Sequence, residues 1–162
     1  MDNFPFCCDF MLDNEDSQRK YVAVPDPPPG SHAISGINSY YWHDEYMAIA
    51  ALPQAERGPA VIAFYEKNFW NDWLAQILDD DLAARVMDSG VNQGAGTACG
   101  LLQRAVNSLG GVYIEPDGHW GPITLAAVNN QNPFSLLNAF RTVRAAKYRE
   151  QGNLALVPRA QK

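Results

Sequence analysis

The sequence predicts a mainly α domain in two lobes with one small β-hairpin or loop element, and three observations carry that prediction. Apolar residues recur at helical spacing in several separate segments, among them Phe6, Cys7, Phe10 and Met11 near the start and Leu136, Leu137, Phe140 and Val143 near the end. β-prone residues are confined to residues 21–24 and 33–37, inside a stretch 21–38 that carries four prolines and two glycines. A chain of 162 residues can bury one substantial core, so a single domain over 1–162 is expected, with lobes at 1–75 and 76–162.

The first helix starts near Phe4, with Pro5 suited to its first turn, and ends among residues 13–17. That places Glu15 where an apolar helix meets open space. An irregular hairpin or loop follows over 21–38, and Pro53 opens a helix carrying Ala60, Val61, Phe64 and Tyr65. A connection with Phe69, Trp70 and Trp73 leads to three aspartates, 79–81, whose charge suits a helix N-terminus. Leu82, Val86 and Val91 continue that helix until Gly94 and Gly96 interrupt it. Leu101, Leu102, Ala105, Val106 and Leu109 then resume the period up to Gly110 and Gly111. Asp117 and Gly118 form a tight turn, Gly121 and Pro122 start a further helix, and Pro133 opens the last one, running through Ala146.

Composition excludes several function classes. A net charge of −6 argues against a nucleic-acid partner, because neutralising phosphates takes clustered Lys and Arg. The late basic residues Arg141, Arg144, Lys147, Arg149, Arg159 and Lys162 read as a solvated helix face. Cys7, Cys8 and Cys99 suit neither a disulfide framework nor a zinc site and read as small buried residues; a bridge from Cys99 to one of the pair would need an oxidising compartment. His32, His43 and His119 show no metal spacing, and neither a metal nor a cofactor is expected. No apolar run reaches the roughly 18 residues of a membrane span, and no signal segment opens the chain.

One block has a set order that a generic helical core does not require: Asp88, Ser89, Gly90, Val91, Asn92, Gln93, Gly94, then Gln103, then Asp117, Gly118, His119, Trp120, Gly121, Pro122, Ile123, Thr124. With the aromatic segment 64–70 and the run Ala33, Ile34, Ser35, Gly36, Ile37, Asn38, it resembles the N-acetylmuramidases of glycoside hydrolase family 108, over about residues 10–150. The resemblance implies a lysozyme-like fold whose later lobe carries a peptidoglycan-binding-like block, and cleavage of the β-1,4 bond between N-acetylmuramic acid and N-acetylglucosamine.

Such cleavage needs a proton donor for the leaving oxygen and stabilisation of an oxocarbenium-like transition state. The resemblance implies Glu15 as the general acid, with Asp13 and Asp16 as fallbacks, and Asp26 as the second acid that activates water or stabilises the sugar cation. Two glycines expected after Glu15 are replaced by residues 16–20, and Ala33 stands where the family has a threonine, leaving Ser31 or Ser35 to supply that hydroxyl. Ser35, Asn38, Tyr41, Asn92 and Gln93 are the expected substrate contacts. For Asn92 the competing reading is a helix-break cap; for Tyr40, Tyr41 and Trp42 it is core packing.

The expected function is therefore a muramidase. A lytic transglycosylase acting on the same bond and a noncatalytic wall-binding module are the alternatives. Peptidoglycan strands are the expected partner, and an immunity protein or delivery machinery is a further one. The chain would be made in the cytoplasm and act in the periplasm or wall after holin release, phage-tail delivery or injection by a secretion system.

Overall fold

The computed structural model describes residues 3–162. The protein is mainly helical, with a small three-stranded antiparallel sheet. The elements are α1 (Phe4–Glu15), β1 (Ala23–Pro25), β2 (His32–Ile34), β3 (Ile37–Asn38), α2 (His43–Ala50), α3 (Arg57–Phe69), α4 (Asp80–Gln93), α5 (Ala95–Ser108), α6 (Pro122–Asn129), α7 (Pro133–Glu150) and α8 (Val157–Gln161). They divide into two compact units, residues 8–68, and residues 1–7 with 69–162.

In the 8–68 unit the strands pair in the order β1-β2-β3, with Val24 opposite Ala33 and Ile34 opposite Ile37. The β2–β3 connection is two residues long. Ser35 and Gly36 have φ of +47° and +85°, the double left-handed geometry of a type I′ hairpin turn. Ala33, Ile34 and Ile37 are buried beneath the turn, whereas β1 is exposed along its length. On α3, Val61, Phe64 and Tyr65 form the buried stripe that the sequence spacing predicts. Arg57 at its start donates to the carbonyls of Ala50, Leu52 and Tyr21, tying three chain segments together. The sequence reading does not include α2, for a physical reason: Ile49 is its only buried residue, so it shows no apolar stripe.

The other unit is built on α4, α5 and α7. Asp79 caps α4 by accepting from the Leu82 amide at 2.8 Å, and Asn132 caps α7 by accepting from Ser135. Leu82, Val86, Met87, Leu102, Val106, Leu136 and Phe140 are buried. Toward the C-terminus, Ala145 and Tyr148 of α7 pack with Ala160 of α8, an element absent from the sequence reading.

One expectation is corrected. The late basic residues do not form one solvated face: Arg144 is fully buried, and both Arg144 and Arg159 donate to Asp88, itself fully buried on α4. A helical stripe shows which residues share a face but not which opposite charge waits on another helix. The two units part at 68/69, and the first residues of α1 group with the later unit. Phe4 packs at a tilt against Trp70 with centroids 5.6 Å apart, and the 3-10 turn Leu74–Gln76 packs on α4.

Among the described residues no helix is long and apolar enough to cross a membrane. Cys7, Cys8 and Cys99 are buried thiols. Burial pushes the Cys8 thiol up to about 11 and the Cys99 thiol up to about 12.

Candidate functional site

The three acids at the end of α1 have different surroundings. Asp13 is exposed and pairs with Arg19 at 2.8 Å. Asp16 accepts from the Tyr21 amide at 2.8 Å, the Lys20 amide at 3.0 Å and the Ser35 hydroxyl at 2.8 Å. Partial burial works against its charge, but those three donors and the nearby Arg19 cation outweigh it and hold its carboxyl below the usual carboxylate range. Asp16 is thereby committed to closing the segment that follows the helix.

Glu15, the last residue of α1, meets the β2–β3 turn. A Cβ built on Gly36 would stand 2.7 Å from Glu15 Oε2, 2.8 Å from its Cδ and 2.8 Å from the Tyr65 hydroxyl. The carboxyl therefore occupies space that only glycine leaves open, beside the buried phenol of α3. Tyr65 donates that hydroxyl to the Ser35 carbonyl at 2.7 Å. A carboxyl group against a glycine turn and an aromatic ring, with solvent access, suits a proton donor.

Asp26 lies in the loop between β1 and β2. Asn38, buried on β3, donates its amide both to Asp26 Oδ2 and to the Pro27 carbonyl, and accepts from the Tyr40 amide at 2.7 Å. Its polar atoms are engaged inside the protein, so Asn38 orients Asp26. The Ser31 hydroxyl donates to the carbonyls of Asp26 and Pro28, and the Ser35 hydroxyl donates to Asp16. Both serines therefore donate within the loop structure. Tyr40 and Tyr41 are exposed and lie edge to face at 5.0 Å, while Trp42 packs edge-on against Phe64.

Asn92 and Gln93 belong to the other unit, at the C-terminal end of α4. Asn92 donates to the Asp88 carbonyl at 2.7 Å, and Gln93 Oε1 accepts from the Ser89 hydroxyl. The rest of the ordered block is a backbone device centred on buried Gln103. Its Nε2 donates to Asp117 Oδ1, the His119 carbonyl and Thr124 Oγ1, and its Oε1 accepts from the Gly118 amide. At Gly118, φ is +74° and an added Cβ would lie 2.7 Å from the Gly96 carbonyl oxygen, so the turn can approach α5 only as glycine.

A cavity of about 680 Å³ in this unit is lined by Gly96, Arg104, Gly118, Thr142, Lys147 and Glu150 among others, and by none of the sequence-predicted site residues. Its carboxyl groups do not suit proton donation. The His119 and Gln103 amides hold Asp117 below the usual carboxylate range, and Glu150 is exposed and paired with Lys147 at 3.9 Å. Side-chain chemistry therefore favours the Glu15 region over this cavity.

Sequence reasoning missed Gly36 and Tyr65 beside Glu15. Its nearest signal was the Ser-Gly dipeptide between Ile34 and Ile37, a hairpin-turn pattern that fixes the local turn without revealing which carboxyl packs on it.

No family model matches the chain, and no curated protein matches it. Among solved structures, that of Brucella abortus SagA is similar in fold, with a TM-score of 0.68 at 21% identity over 98% of this chain and 91% of that one.

Proposed function

We propose that the protein is a peptidoglycan hydrolase of the muramidase type, akin to glycoside hydrolase family 108, cleaving the β-1,4 bond between N-acetylmuramic acid and N-acetylglucosamine. The observation that carries the reading is the Glu15 carboxyl at the end of α1, set against Gly36 and the Tyr65 hydroxyl. Glu15 donates the proton to the leaving sugar oxygen. Asp26, held by Asn38 in the same unit, activates the attacking water or counters the charge that develops on the sugar ring. Exposed Tyr41 offers an aromatic face to a sugar.

The segment after Glu15 also supports the reading. In the segment that follows Glu15, Arg19 and Tyr21 adopt φ of +50° and +51°, conformations that glycine takes freely. Asp16 holds both turns by accepting from the Lys20 and Tyr21 amides. The replacement thus keeps a tight turn without the glycines.

The test is product analysis on purified peptidoglycan. The wild-type protein is expected to release muropeptides with reducing ends, and Glu15→Gln to lose about 100-fold or more of that activity, the scale of a lost general acid. Equal activity in the variant would overturn the assignment. Anhydro ends would replace hydrolysis by transglycosylation, and wall binding without any product would replace both by a binding module.

A further inference from the structure

We propose that Tyr65 and Gly36 are positioning residues that hold the Glu15 carboxyl in its proton-transfer geometry, an inference that rests on the muramidase reading and extends it. Gly36 is the second residue of the β2–β3 turn, and Glu15 Oε2 lies 2.7 Å from where any other residue would carry its Cβ, too close for one. Tyr65 approaches the same point from α3, its hydroxyl 2.8 Å from that vacant Cβ position. Its ring is buried and packs edge-on against Phe64 at 5.2 Å, and its proton is donated to the Ser35 carbonyl at 2.7 Å. The phenol oxygen is therefore fixed by two independent restraints.

Proton transfer to a bound oxygen loses rate steeply when the donor is displaced, and a displacement of about 1 Å can cost about 100-fold. Glycine at 36 admits the carboxyl and the Tyr65 hydroxyl bounds it on one side, so the two residues together restrict where Oε2 can sit. On the muramidase reading, strand binding rests on exposed groups such as Tyr41 and not on the buried Tyr65, so loss of this restraint is expected to fall on turnover and spare affinity.

The experiment is steady-state kinetics of Tyr65→Phe and Glu15→Gln on soluble, uncross-linked strands of alternating N-acetylmuramic acid and N-acetylglucosamine, with thermal unfolding measured in parallel. Phenylalanine keeps the buried ring and removes only the hydroxyl. The expected result is a kcat lower by about tenfold or more with KM within about twofold of wild type. A wild-type kcat in Tyr65→Phe, or a loss confined to KM, would overturn the positioning role while an inactive Glu15→Gln left the muramidase reading intact. Full activity in Glu15→Gln would instead remove that reading, and the positioning role with it.

Should Tyr65→Phe fail to fold, Gly36→Asn carries the test, because asparagine accepts the left-handed backbone yet brings its Cβ onto Glu15. The same split, kcat down and KM kept, is expected. A wild-type kcat there overturns the proposal.

Discussion

Among single residues, Asp16 is a structural carboxyl one position away from the proposed proton donor, Glu15. Its three donors favour the charged form, so its folded-state pKa lies below the ordinary value of 3.8. Such a group contributes stability above its unfolded pKa, and that contribution is lost as pH falls through the folded one. Asp16→Ala is expected to destabilise the protein by about 1–2 kcal/mol at pH 7, a figure kept modest because the carboxyl is partly solvated. The gap to wild type should shrink below about pH 4 in denaturant titrations at several pH values. A gap that persisted unchanged to pH 2 would mean that the carboxyl contributes through its shape and not through its charge. Glu15 was readable as an acid following an apolar stripe. Asp16's role was not, because it depends on Ser35, nineteen residues away.

Between elements, a buried electrostatic cluster joins α4, α7 and α8. Asp88 accepts from Arg144 and Arg159, and with neither Asp88 nor Arg144 exposed, removal of the carboxylate would strand a guanidinium without its counter-charge. Asp88→Ala is expected to cost about 3–5 kcal/mol of unfolding free energy. A loss under about 1 kcal/mol in chemical denaturation would mean that the arginines find other acceptors at no cost. The helices themselves were legible from their periodicity, caps and prolines: α4 begins at its aspartates, α6 at Pro122 and α7 at Pro133. Helix α2 and helix α8 were not, since short helices with one buried residue each show no stripe.

Across the molecule, the two compact units each hold a buried thiol that reports on its opening. Cys8 lies in the 8–68 unit and Cys99 in the other, and burial raises both thiols to about 11 and about 12. Little thiolate exists at pH 8, so neither residue should react with iodoacetamide in the native protein. Both are expected to be modified once denaturant unfolds the chain, as read by mass spectrometry of the peptides. Rapid modification of either in buffer alone would show that its unit opens far below the global unfolding free energy.

Spacing and residues with special backbone demands were enough to specify the mainly helical class, the place of the small β element and the helix starts, while the candidate acids came from the family resemblance. Those signals act within a few positions of one another, so they are complete in the linear chain. Long-range packing was needed to show that Asp16 is a staple, that Asn38 and Gln103 are spent on backbone and loop contacts, that Arg144 is buried, and that Gly36 and Tyr65 adjoin Glu15. Each of those outcomes depends on a partner from a distant part of the chain. Periodicity shows which face a residue occupies, whereas only the packed fold shows what that face meets.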